Sequence, residues 1–86
     1  MAVFTIYTKS YCPYCVKAKN LLSSRGLKYT EVDIEKDEEL QAEVRKKSGG
    51  SRTVPQIFLG ETHIGGCDDL YTKNSSGELD VLLGAN

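Results

Sequence analysis

The sequence predicts an α/β fold, a central four-stranded mixed sheet flanked by helices, with elements in the order β-α-β-α-β-β-α. Three observations carry that prediction. The chain has 86 residues, which suits a single domain over residues 1–86. It opens with a strand-helix-strand pattern, which implies a parallel pair joined by a right-handed crossover. Two short strand-like runs late in the chain, separated by a turn, add antiparallel strands to the same sheet.

Each element has a local reason. Val3, Phe4, Thr5, Ile6 and Tyr7 mix β-branched and aromatic side chains and read as a buried strand. Lys9, Ser10 and Tyr11 lead out of it. Pro13 suits the first turn of a helix, because its missing N–H would be unpaired there in any case. Cys15, Ala18 and Leu22 then recur at helical spacing, flanked by Leu21, and Gly26 marks the stop. Residues 27–34 alternate apolar and polar, the period of a second strand. Asp37, Glu38 and Glu39 suit the start of a second helix, with Leu40 and Val44 inward and Arg45, Lys46 and Lys47 near its end. Gly49, Gly50 and Ser51 terminate it. Val54 and Pro55 open a third strand that runs to Leu59, Gly60 to Thr62 make a turn, and His63 and Ile64 form a short fourth strand. Gly65 and Gly66 close that strand. Asp68 or Asp69 is the expected cap of the last helix, and Leu79, Leu82 and Leu83 add a final helical turn or two. Tyr7, Tyr29 and Tyr71 read as core or half-buried residues.

Composition excludes several function classes. Eleven basic side chains stand against 12 acidic ones, a formal net charge of −1, where a nucleic-acid binder normally needs a basic excess for its phosphate contacts. No stretch free of Asp, Glu, Lys and Arg exceeds eight residues, far short of the roughly 20 apolar residues of a membrane helix. Residues 1–8 lack the basic lead and small-residue cleavage site of a signal peptide. The expectation is a soluble protein of the cytoplasm.

Three cysteines, an odd number, do not suit the disulfide scaffold of a small secreted protein. Two of them form Cys12-Pro13-Tyr14-Cys15, which reads as a redox centre or as half of a metal site. Cys12 follows a hydrophobic strand and immediately precedes a helix that begins at Pro13. A helix N-terminus presents unpaired N–H groups and partial positive charge, both favouring an anionic sulfur, the nucleophilic form. Lys9 adds a positive charge if it folds back over the loop. Cys15, one turn into the helix, lies on the same side but more shielded. That pairing suits attack on a disulfide by Cys12 and resolution of the mixed disulfide by Cys15. The competing reading is a zinc site from Cys12, Cys15, His63 and Cys67; Pro13 and the long apolar helix after Cys15 favour a helix start over the tight knuckle such a site requires. His63 otherwise reads as an exposed strand residue, and Cys67 as a small buried residue at a helix start.

Three motifs, taken together, carry a family resemblance. Lys9-Ser10-Tyr11-Cys12-Pro13-Tyr14-Cys15, then Thr53-Val54-Pro55-Gln56-Ile57-Phe58, then Gly65-Gly66-Cys67-Asp68-Asp69-Leu70 follow in order and span essentially the whole chain. In this the chain resembles a dithiol glutaredoxin of the short bacterial type. One departure is visible: residues 48–52 run one residue longer than the usual segment before Thr-Val-Pro, which leaves the alignment of the preceding helix open by one position.

The resemblance implies a thioredoxin-like fold, a cis Val54-Pro55 bond, and glutathione as co-substrate with no tightly bound cofactor and no metal. A cis bond would turn the backbone of Val54 outward as a short strand edge for an extended peptide. By the same resemblance, Thr53, Val54 and Pro55 would line the cysteinyl backbone of glutathione, Tyr14 its sulfur, and Cys67, Asp68 and Asp69 its γ-glutamyl end. Lys9, and Gln41 if the extra residue lies after it, would meet the glycine carboxylate, with Arg52 a further candidate. Cations suit that carboxylate and an aspartate suits the amine. Without the resemblance, Thr53 is an ordinary strand residue and Asp68 an N-cap. The implied partners are glutathione and glutathionylated or disulfide-containing proteins, ribonucleotide reductase among the possible acceptors, met by a monomer. Two other readings stand beside it: a glutaredoxin-like redoxin reduced by thioredoxin reductase, which needs no charged tripeptide site, and an iron–sulfur cluster-binding module, which Pro13 disfavours.

Overall fold

A computed structural model of the chain describes residues 3–85. In strand β1 (Phe4–Thr8), Phe4, Ile6 and Thr8 are buried and alternate with half-buried Thr5 and Tyr7, so both faces of the strand are covered to different degrees. Helix α1 (Pro13–Ser24) places proline at its start and buries the stripe Cys15, Ala18 and Leu22. Strand β2 (Tyr29–Asp33) returns parallel to β1, completing the crossover. Helix α2 (Glu38–Lys47) is capped by Asp37, whose carboxylate accepts the Leu40 N–H at 3.0 Å, and it carries acids in its first turn and bases in its last.

Strands β3 (Gln56–Leu59) and β4 (Thr62–Gly65) form the hairpin. The sheet order is β2-β1-β3-β4, with β1 parallel to β2 and antiparallel to β3, and β3 antiparallel to β4. This is the mixed four-stranded sheet that the patterning implied. Ile6, Ile57 and Leu59 from the sheet form one cluster with Ala18 and Leu22 of α1 and with residues of the C-terminal helices. Burial of a branched aliphatic side chain of this kind contributes about 1.5–3 kcal/mol.

The C-terminal region differs from the sequence reading in two respects. Two helices stand there, α3 (Cys67–Ser76) and α4 (Glu78–Ala85), where one element was expected. Gly77, at φ 84°, adopts the left-handed conformation that ends α3, and the chain resumes a helix at once so that Leu79 reaches the core beside Leu70. Nor does Asp68 or Asp69 cap α3: the cap is Gly66, and both aspartates lie within the first turn. The reason is that an acceptor three residues into a helix reaches back to the cap's own N–H. Asp69 Oδ2 takes the Gly66 N–H at 3.0 Å.

Candidate active site

The end of β1 and the start of α1 create the dithiol. Tyr11, at φ 55° and fully exposed, turns the loop so that Cys12 becomes the N-cap of α1. The Cys12 carbonyl accepts the Val16 N–H at 3.2 Å, and its Sγ accepts the Cys15 N–H at 3.2 Å. A sulfur in this position faces the positive end of the helix. All three cysteines are free thiols; Cys12 is half-buried, whereas Cys15 is 2% exposed. Burial, reinforced by the contact with Cys12 and opposed by a backbone hydrogen bond at Lys9, pushes the Cys15 thiol up to about 12. The two thiols of one motif therefore sit in opposite environments.

Across from Cys12 stands the segment before β3. The Val54-Pro55 bond is cis, as the resemblance implied, and the Cys12 thiol donates to the Val54 carbonyl at 3.7 Å. Beyond Val54 lies a groove of about 480 Å³ lined by Tyr14, Ser51, Thr53, Val54, Pro55, Gln56, His63, Gly65, Gly66, Cys67, Asp68 and Asp69. It brings together seven of the residues singled out from sequence: Tyr14, Thr53, Val54, Pro55, Cys67, Asp68 and Asp69. Tyr14 is 59% exposed at its rim. The Asp69 carboxylate is occupied by the Gly66 N–H, while Asp68 is exposed and its side chain takes no hydrogen bond among the described residues. Cys67 is buried, and burial raises its thiol above the ordinary value, with Lys17 acting in the opposite direction.

Lys9 and Gln41 stand apart from this groove. Lys9 lines a second depression of about 500 Å³ on the other flank of Cys12, shared with Cys15, Lys19 and Glu31. There Glu31 accepts from the Thr8 hydroxyl at 2.8 Å and pairs with Lys19 at 3.1 Å, contacts that hold its carboxyl below the ordinary value. Gln41 is committed elsewhere: its Nε2 donates to the Ile34 carbonyl at 2.7 Å and the Glu35 carbonyl at 3.1 Å, bracing the turn between β2 and α2. Arg52 is exposed. The zinc reading finds no geometry to support it, since no three His, Cys, Asp or Glu side chains gather to hold a metal among the described residues.

A helix-capping thiol with a shielded second thiol one turn on, opposite a cis-proline and beside a groove, is the arrangement the family resemblance implied. The glutaredoxin family profile matches residues 4–64. The chain belongs to the glutaredoxin family. It is 52% identical over 83 residues to glutaredoxin 3 of Escherichia coli strain K12, covering 96% of this chain and 99% of that one. A glutaredoxin of Pseudomonas aeruginosa is 49% identical over 85 residues, 99% of this chain and 100% of its own. Among solved structures, the glutaredoxin of Brucella melitensis superposes with a TM-score of 0.83 at 48% identity, covering 96% of this chain and 89% of that chain. A buckwheat glutaredoxin, solved as a glutathione complex, superposes with a TM-score of 0.85 at 32% identity, covering 98% and 78%. The fold is thioredoxin-like.

Five groove residues of this glutaredoxin were given no part in the glutathione site by the sequence: Ser51, Gln56, His63, Gly65 and Gly66. Gln56 carried the one usable signal, a polar side chain directly after Val-Pro at the head of an apolar strand. It is 2% exposed. His63 is exposed on β4, as its strand position suggested, but its ring also packs against Phe58 and bonds Gln56. No helix of the described residues is long and apolar enough to cross a membrane.

Proposed function

We propose that Cys12 is the nucleophile and Cys15 the resolving thiol of this glutaredoxin, and that the groove beside Val54 holds glutathione. The chain is a glutathione-dependent thiol-disulfide oxidoreductase by family. The observation that carries the residue roles is the position of Cys12 Sγ, which accepts the Cys15 N–H at the helix start and faces the Val54 carbonyl at the groove's edge. In the monothiol route the Cys12 thiolate attacks the glutathionyl sulfur of a mixed disulfide, and the protein thiolate leaves and takes up a proton. A second glutathione thiolate then attacks the Cys12-bound sulfur, releasing glutathione disulfide and restoring the Cys12 thiolate. When the substrate is an internal protein disulfide, the Cys12 thiolate attacks one of its sulfurs and the other leaves as a thiolate that takes up a proton. Cys15 then gives up its proton and attacks Cys12 Sγ, freeing the second substrate thiol and leaving a Cys12–Cys15 disulfide.

Charge and shape support the groove assignment. The backbone edge of Val54 suits the cysteinyl residue of the tripeptide, with Thr53 beside it. The unengaged Asp68 carboxylate suits the γ-glutamyl ammonium, and the first turn of α3 at Cys67 suits its carboxylate. Asp69 acts here through Gly66, whose N–H it holds. Lys9, across Cys12, is the cation that suits the glycine carboxylate, and Gln41 is left to its structural bonds. Protein acceptors are glutathionylated or disulfide-bearing proteins, ribonucleotide reductase among them by family resemblance, served by a monomer in the cytoplasm. The test is glutathione-dependent reduction of a small mixed disulfide, coupled to glutathione reductase and NADPH, on wild type, Cys12→Ser and Cys15→Ser. Activity should vanish with Cys12 and persist without Cys15; activity surviving the loss of Cys12 would overturn the assignment.

A further inference from the structure

We propose that Gln56 and His63 act as a positioning pair that shapes the glutathione side of the groove, with His63 anchoring the Gln56 amide oxygen and the Gln56 amide nitrogen holding residues 51–53. The inference rests on the glutathione reading above and adds two residues outside the three motifs' assigned roles.

The Thr53 carbonyl, which can only accept, orients the amide. Gln56 Nε2 donates to Ser51 Oγ and to the Thr53 carbonyl, each at 3.0 Å, and approaches Thr53 Oγ1 at 3.3 Å. Gln56 Oε1 pairs with His63 Nε2 at 2.7 Å. An amide oxygen only accepts, so His63 Nε2 carries the hydrogen of that bond. Rotating the amide by half a turn would set its oxygen against the Thr53 carbonyl, a repulsive contact in place of an attractive one, so the Thr53 carbonyl fixes which end of the amide faces His63. The ring itself is held by Phe58, with centroids 4.9 Å apart, and Phe58 by Tyr7 in an edge contact at 5.7 Å.

What the pair holds is otherwise weakly supported. Among the described residues, no backbone–backbone hydrogen bond is made by residues 51–54. The approach to the cis-proline is shaped instead by side chains: the Gln56 amide at 3.0 Å, the Ser51 hydroxyl at 3.1 Å from Thr53 Oγ1 and 3.5 Å from the Thr53 N–H, and the Ser48 hydroxyl on the Ser51 carbonyl at 3.5 Å. Val54, next in the chain, faces Cys12 Sγ through its carbonyl. A loop that must offer its backbone edge to a tripeptide gains from being held in one conformation before binding. Gln56 and His63 touch no reacting atom; they act through Thr53 and Val54.

The test compares two disulfides of one peptide, one with glutathione and one with cysteamine, which offers no tripeptide to the groove. Second-order rate constants are measured with reduced protein in a Cys15→Ser background, so that every reaction passes through Cys12. The parent should prefer the glutathionylated peptide. His63→Leu, at an exposed position, should cut that preference about tenfold, equivalent to about 1.4 kcal/mol, and Gln56→Leu should do likewise. His63→Gln, whose amide N–H can still donate, should retain the preference within about twofold of the parent. An unchanged preference in His63→Leu, a loss of both rates in equal proportion, or a His63→Gln variant as impaired as His63→Leu would overturn the pair's role. A parent with no preference would overturn the glutathione reading itself, and the inference with it.

Discussion

The backbone N–H of Cys15 donates to Cys12 Sγ across 3.2 Å, while the thiol of Cys15 is shut away from solvent. One residue thus supplies the donor that steadies negative charge on its neighbour and is itself placed where charge is disfavoured. The single α-turn between them makes the two cysteines chemically unlike.

That difference predicts the pattern of alkylation. Native reduced protein treated with iodoacetamide at pH 7 should gain one adduct, at Cys12, because Cys15 and Cys67 are buried and their thiols are raised. The unfolded chain should gain three. Intact mass and peptide mapping read the result; rapid native modification of Cys15 would contradict the geometry.

Alkaline pH should destabilise the fold. Cys15 holds its proton up to about 12 when folded, whereas the unfolded chain loses it near the ordinary thiol value. Above that value the unfolded state binds fewer protons, so stability is complete below pH 9 and declines as pH rises toward 12. Cys67 acts in the same direction. Urea unfolding between pH 8 and 11 should therefore show a falling free energy, with a shallower fall in Cys15→Ser.

The Asp69 side chain that takes the Gly66 N–H also fills the space beside Gly65. At φ 121°, a Cβ added to Gly65 would stand 2.3 Å from Asp69 Oδ2 and 2.7 Å from Asp69 Cβ. Gly65→Ala should cost about 2–4 kcal/mol, from backbone strain together with a displaced cap. Thermal unfolding of the variant measures it; a cost below a few tenths would show that Asp69 is not fixed.

The two neighbouring aspartates should separate in a paired experiment. Asp69→Ala removes the acceptor for Gly66 and should lower stability by about 0.5–2 kcal/mol. Asp68→Ala should leave the melting temperature close to that of wild type and weaken use of glutathionylated substrates by about two- to fivefold, the scale of one exposed ion pair. That loss should shrink at high salt.

Much of this arrangement was legible without coordinates because it is local. Pro13 starting a helix, Cys12 at its cap, the apolar stripe of Cys15, Ala18 and Leu22, and the capped, charge-graded α2 each depend on residues within one or two turns. Strand types followed from side-chain alternation, and the mixed sheet from connection rules. The groove needed more. Its membership was read from family resemblance, and the structure brought seven of those residues together while leaving Lys9 on the far flank of Cys12 and Gln41 on α2, bonded to the β2–α2 turn.

The amino-acid sequence by itself determined where the four strands and the first two helices form and which thiol stands at a helix start, since capping and periodicity act over three or four residues. Tertiary structure alone decided that Cys15 is buried deeply enough to keep its proton and that Gln56 meets His63. Those outcomes depend on how β4 registers on β3, with its irregularity between Ile57 and Phe58, and on how α3 and α1 pack over the sheet. Contacts between residues distant in the chain are fixed by register and by close packing, which no local pattern encodes.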